Sequence, residues 1–165
     1  MSDRAGPGAA DRAIEAATRA DLPALTALAL AAYGKYVERL GHEPPAMRPD
    51  FEGHLARGEV EVIHDGPALH AYLIHFAGED AWVIENLAVA PVAQGRGLGR
   101  ALLVHAETAG RAAGHARATL FTNIVMTENQ ALYAKLGWRE TGRRPYKGTE
   151  IIDFEKPLVA DRGNP

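Results

Sequence analysis

Gln94-Gly95-Arg96-Gly97-Leu98-Gly99-Arg100 is the stretch on which the fold turns. An apolar run over 81–89, interrupted by Glu85 and Asn86 and stopped by Pro91, leads into it. Leu98, Ala101, Leu102, His105, Thr108 and Ala112 then recur at helical spacing as far as Gly114. The stretch is therefore a strand-to-helix turn. Three glycines so close together fit where the backbone turns sharply or approaches a partner closely. At such a turn, unpaired N–H groups converge with the helix dipole behind them, which makes an anion site suited to a diphosphate. Arg96 and Arg100 add positive charge beside it. Two other phosphate motifs fail. The dinucleotide pattern would need glycine at Arg100, and no Gly-Lys-Ser/Thr follows for a P-loop.

Upstream, 14–17 predicts a short strand. Asp21 and Pro23 open a helix carrying Leu22, Leu25, Leu28, Ala29 and Ala32, expected to end near Gly34, with Tyr36 to Leu40 able to begin another turn. Prolines make 41–49 a loop, and Asp50 caps a short helix to about Arg57, closed by Gly58. Residues 60–64 and 69–76 read as strands around Asp65-Gly66, a hairpin signal. Downstream, 117–122 is a buried type of strand, and a helix from Thr127 or Asn129 to Leu136 is closed by Gly137. A last strand pair, 138–141 and 150–154, surrounds a turn containing Gly142, Pro145 and Gly148. The order gives a mixed α/β sheet with one strand–helix–strand unit near its middle. Residues 12–158 form one domain in this reading, with 1–11 and 159–165 as flexible tails.

Composition removes several function classes. The chain has 165 residues, 47% of them hydrophobic, enough to bury roughly 70% of the unfolded surface without staples. Eighteen Lys+Arg against 21 Asp+Glu give a net charge of -3, which argues against a nucleic-acid binder. With no Cys there is no disulfide framework, thiolate nucleophile or zinc ribbon. No apolar stretch approaches the roughly 20 residues needed to span a bilayer, so no membrane partner is expected. The first residues carry acids and glycines where a secretory signal has an apolar core, and a cytoplasmic location is expected.

Gln94-x-x-Gly97-x-Gly99, after Leu87-Ala88-Val89-Ala90-Pro91, resembles the acetyl-CoA loop of the GNAT (N-acetyltransferase) superfamily. That signature is Gln/Arg-x-x-Gly-x-Gly/Ala after a strand ending in "aVxP". The segment Asn129-Gln130-Ala131-Leu132-Tyr133-Ala134-Lys135-Leu136-Gly137-Trp138 is similar to the family's second block, "LYxKLGF". The likeness spans 12–158 in element order and is sharpest over 83–138. It implies a central, mostly antiparallel sheet with a splayed pair of strands, flanked by helices. It implies acetyl-CoA as cosubstrate, no metal, and phosphates held by Gln94, Gly95, Arg96, Gly97, Leu98, Gly99 and Arg100. The pantetheine arm would lie along Leu87, Ala88 and Val89, in the gap left as the central strand bulges and splays from 117–122. Many members carry asparagine seven residues before the tyrosine, where this chain has Met126; Asn123 or Asn129 could make that contact instead.

Acetyl transfer needs a neutral amine, and a lysine-like amine with pKa about 10.4 is protonated at neutral pH. Glu85 is the candidate base: Val83, Ile84 and Leu87 around it would desolvate the carboxylate and raise its pKa. It could equally be a structural Glu bonded across a bulge, or act through water. Tyr133 is the candidate acid for the departing CoA thiolate. Spacing alone would make it a core aromatic beside Leu132 and Leu136; the resemblance reverses that preference.

Seven His lack both ligand spacing and Cys partners, and none is assigned a role. Tyr33, Tyr36, His42 and Glu43, and separately Arg139, Arg143, Arg144, Tyr146 and Lys147, could border an acceptor pocket, although a solvated basic turn explains the second group as well. The reading is thus an acetyl-CoA-dependent N-acetyltransferase acting directly on a primary amine of a small molecule or peptide. The alternative is a non-catalytic acyl-CoA-binding sensor or regulatory partner. The resemblance is compatible with a homodimer.

Overall fold

The computed structural model describes residues 13–158; the tails expected at 1–11 and 159–165 lie outside the described residues. Those described divide into two compact units, 13–74 with 86–103 and 75–85 with 104–158.

In the first unit, β1 (Ile14–Ala16) pairs antiparallel with β2 (Val60–Asp65), and β2 with β3 (Ala68–Ala77). Their turn has Gly66 at φ 60°, as the Asp65-Gly66 pair predicts. Helix α1 (Leu22–Leu40) does not stop at Gly34. It continues to Gly41, at φ 76°, whose N–H donates to Val37 O at 2.8 Å. An interior glycine costs ~1 kcal/mol. The extra turn buries Tyr36 to 3% exposure, and burying a large apolar side chain yields roughly 2 kcal/mol. Burial wins. Asp21 does not cap α1 through its side chain; its carboxylate accepts from Thr18 N at 2.8 Å across a 3-10 turn, Arg19–Asp21. Helix α2 (Phe51–Ala56) is capped as expected, Asp50 accepting from Gly53 N at 3.1 Å. The end of β4 (Trp82–Val89) and the start of α3 (Leu98–Ala112) complete this unit.

In the second unit, β4 meets β5 (Arg117–Asn123) in parallel, Trp82 opposite Ala118 and Val83 opposite Thr119. Among the described residues that pairing stops at Val83. β5 pairs antiparallel with β7 (Thr149–Pro157), and β7 with β6 (Arg139–Tyr146). Helix α4 (Thr127–Lys135) links β5 to β6. The last hairpin is longer than its sequence suggests. Gly142 and Pro145 lie inside β6, and the turn is Lys147-Gly148, at φ 44° and 76°. Two successive positive φ values make the two-residue turn that matches strand twist, and Pro145 is tolerated because β6 is an edge strand. The buried stripe of α3 also differs from expectation, falling on Leu98, Leu102, Leu103, Ala106 and Gly110, with Thr108 and Ala112 exposed. Gly110 sets that choice. A Cβ there would stand 2.6 Å from Leu158 Cδ1 and 2.9 Å from Trp82 Cβ, so this face alone permits the close approach.

Hydrogen bonding orders the strands β1-β2-β3-β4-β5-β7-β6, a seven-stranded, mostly antiparallel sheet flanked by helices. No helix among the described residues is long and apolar enough to cross a membrane.

Candidate active site

The 94–100 bend is built from backbone. A 3-10 turn, Pro91–Ala93, follows β4, with Ala93 fully buried and its N–H on Ala90 O at 2.8 Å. Gly95 and Gly97 then take φ 79° and 76°, a region that L side chains avoid. Leu98, 1% exposed, anchors the start of α3 in the core. The bond from Ala101 N to Gly97 O, at 3.0 Å, opens the helical ladder, so the N–H groups of Leu98, Gly99 and Arg100 precede it and have no intrahelical acceptor. Two side chains brace the bend. Gln94 Nε2 donates to Val89 O at 3.3 Å, and Arg96 Nη2 to Val92 O at 3.2 Å. Gln94 thus acts on the end of β4 with its side chain, while Arg100 stays exposed beside the three N–H groups. Converging donors, a helix dipole and positive charge suit an anion.

Glu85 and Asn86 separate across β4. Ile84, Asn86 and Ala88 are buried, whereas Glu85 is exposed. Successive strand residues face opposite sides, so the desolvation expected of Glu85 from Val83, Ile84 and Leu87 does not occur; its carboxylate reaches solvent. Asn86 is the residue sequence reasoning missed. Its Oδ1 accepts from Tyr33 Oη at 2.7 Å and Tyr72 Oη at 3.1 Å, and its Nδ2 donates to Ala46 O at 2.9 Å. Parity with Ile84 and Ala88 was the available signal. Tyr33, expected beside an acceptor pocket, is buried, and its one hydroxyl proton is shared between Asn86 Oδ1 and Leu87 O, the latter at 2.9 Å. Burial pushes the Tyr72 phenol far above its ordinary pKa, so it remains a donor at any working pH.

In the second unit, Tyr133 is buried on α4 between Phe154 and Trp138, ring centroids 5.6 and 6.4 Å away. Trp138 N donates to Tyr133 O at 3.0 Å, closing the helix end onto β6. Asn123 is buried, and its Oδ1 accepts from Val125 N and Thr149 Oγ1, each at 3.1 Å. Asn129 is half-buried, Nδ2 lying 3.8 Å from Met126 Sδ. Met126, where the resemblance would have asparagine, is itself 5% exposed and heads α4.

Other candidates are occupied with the protein itself. His75 Nδ1 accepts from Trp82 Nε1 at 3.0 Å, which leaves the neutral ring's proton on Nε2. His105 packs tilted against His75, and His115 edgewise against Trp82. The arginines of the last hairpin are ion-paired: Arg144 to Asp153 at 3.1 Å, Arg139 to Glu155 at 3.2 Å, and Arg143 to Glu140. Arg48 likewise clasps Glu43 at 2.7 Å, and that hydrogen bond holds the Glu43 carboxyl below its ordinary pKa.

Residues 56–140 match the family model for an acetyltransferase (GNAT) domain. Among solved structures, the chain is similar to the ribosomal-protein-S18-alanine N-acetyltransferase of Escherichia coli, at 24% identity and TM-score 0.70 over 93% of this chain and 98% of that one. It is similar to yncA of Salmonella typhimurium, solved with its cofactor acetyl-CoA, at 20% identity and TM-score 0.67 over 94% and 98%. It is also similar to the paia N-acetyltransferase of Thermoplasma acidophilum in complex with coenzyme A, at 12% identity and TM-score 0.69 over 87% and 98%. At these identities the solved structures speak for the fold. No curated protein sequence matches the chain.

Proposed function

Because this chain belongs to the GNAT acetyltransferase family, we propose that it moves an acetyl group from acetyl-CoA directly to a primary amine of a small molecule or peptide. One observation carries the reading. Gly95 and Gly97 at positive φ turn the N–H groups of Leu98, Gly99 and Arg100 outward ahead of the helical ladder, which is where a diphosphate binds. Leu87, Ala88 and Val89 guide the pantetheine arm, and the Leu87 N–H meets the thioester oxygen. Asn123 has its side-chain oxygen committed to Val125 and Thr149, so the remaining pantetheine contact is made by its side-chain N–H or by Asn129.

Glu85, exposed on β4, takes a proton from the ammonium through water before attack. The nitrogen lone pair then forms the C–N bond, and the carbonyl electron pair moves to oxygen, stabilised by the Leu87 N–H. As the C–S bond breaks, Tyr133 gives its phenolic proton to sulfur and recovers one from the nitrogen. The products are the amide and the CoA thiol, with the first proton passing from Glu85 to solvent. Transfer is direct because the chain has no Cys to carry an acyl group.

Calorimetry with acetyl-CoA, followed by thiol release with a panel of alanyl peptide, lysyl peptide, polyamine and aminoglycoside, tests the reading. Binding with CoA release for at least one amine is expected. Binding with no release across the panel favours a non-catalytic acyl-CoA sensor, and no binding removes the reading altogether.

A further inference from the structure

Asn86 gathers three hydrogen bonds from three different elements in the first unit: Tyr33 on α1, Tyr72 on β3 and Ala46 in the loop after α1. Asn86, Tyr33 and Tyr72 are 6%, 7% and 0% exposed. Each polar group buried this deeply is destabilising if its partner is lost, so an all-apolar cluster would be the safer core. The network reaches past itself at one point, where Tyr33 Oη lies 2.9 Å from the backbone oxygen of Leu87.

That point has a direction. Ala90 N donates to His70 O at 2.8 Å, so Ala90 faces β3. Leu87, an odd number of positions earlier, faces the other way, and in a strand the N–H and C=O of one residue point to the same side. The Leu87 N–H therefore turns away from β3 together with the carbonyl that Tyr33 holds. It sits between two anchors, the Asn86 side chain before it and its own carbonyl after it.

We propose that Asn86 and Tyr33 are positioning residues for acetyl transfer, fixing the Leu87 peptide so that its N–H meets the thioester oxygen as charge develops there. This rests on the acetyl-CoA reading above. A donor aimed at a developing oxyanion is worth ~10²–10³ in kcat, and a donor left in place but loosened forfeits part of that, about tenfold. The loss falls on kcat because the thioester oxygen carries little charge in the ground state.

Tyr33→Phe keeps the ring and removes both contacts. The expected result is a kcat about tenfold lower with the best amine of the panel, while the Kd for acetyl-CoA by calorimetry stays unchanged. By NMR, the Leu87 amide proton, moved downfield by acetyl-CoA in the wild type, moves less in the variant. Asn86→Ala lowers kcat likewise, with the Kd for acetyl-CoA again unchanged. Should Asn86→Ala fail to fold, Tyr33→Phe decides, since it leaves Asn86 its Tyr72 and Ala46 bonds. Wild-type kcat in Tyr33→Phe overturns this proposal alone, as does wild-type kcat in a folded Asn86→Ala. A wild-type chain that binds no acetyl-CoA overturns the family-based reading, and this proposal with it.

Discussion

The two units build their candidate sites from different parts of the chain. The first buries Asn86 with Tyr33 and Tyr72, and His54 against Glu59. Its candidate phosphate site is main chain, shaped by two glycine φ values. The second carries arginine–carboxylate pairs along β5, β6 and β7 and a buried Glu107 paired with Lys156, and its candidate acid, Tyr133, is a side chain gripped by two aromatic rings. A site made of backbone should be insensitive to which side chain stands nearby and sensitive to φ. A site made of one side chain should show the reverse.

The largest expected effect tests the second half of that contrast. Tyr133→Phe leaves the contacts to Trp138 and Phe154 in place and deletes one O–H. A general acid contributes typically 10²–10⁴-fold, so kcat should fall at least about 100-fold. The calorimetric Kd for acetyl-CoA and the melting temperature should not move. Turnover equal to wild type in this variant removes Tyr133 from the mechanism.

Gly95→Ala tests the first half, with a smaller effect. Nothing lies within 4 Å of a Cβ at this position, but φ is 79°, so the change adds strain without a clash. The left-handed region costs a non-glycine residue ~1–2 kcal/mol, and 1.4 kcal/mol is tenfold in affinity. Acetyl-CoA should bind about tenfold more weakly while kcat at saturation is retained. A loss confined to kcat would mean that the bend serves the chemistry and not the diphosphate, and the contrast between units would fail.

Legibility in the sequence follows the same division. The bend could be read because glycine and helix-start signals are local, and so could the Asp50 cap and the Asp65-Gly66 hairpin. Errors arose where tertiary burial outweighed a local preference. Gly34 lies inside α1 because the following turn buries Tyr36, and the buried stripe of α3 is fixed by the approach of Trp82 and Leu158 to Gly110. Glu85 and Asn86 were read as one polar interruption, although strand alternation alone assigns them to opposite faces. The partners of Asn86 come from residues 33, 46 and 72, and no local pattern could have named them.

The smallest expected effect separates the two kinds of carboxylate. Burial pushes Glu59 upward, but hydrogen bonds from His54 and Arg57 outweigh it and hold its pKa below the ordinary 4.5. Glu155 is lowered by hydrogen bonds from Arg117 and Arg139. The partners differ: the His54 side chain is 9% exposed and Arg139 76%. For both carboxylates the folded pKa is depressed, so each contributes stability that is present above its unfolded pKa and is lost as pH falls through the folded value. The gap in melting temperature between wild type and Glu59→Gln should thus be full above about pH 5 and close progressively below about pH 4. At neutral pH that gap should be about 2–4 °C, the equivalent of ~1 kcal/mol in a chain of this size. Glu155→Gln should show a smaller gap that disappears in 1 M salt, where the screening length is about 3 Å, while the Glu59 gap survives. Equal salt sensitivity in the two variants would mean that His54 shields Glu59 no better than open solvent shields Glu155, and the first unit's polar interior would lose its electrostatic distinction from the second unit's surface.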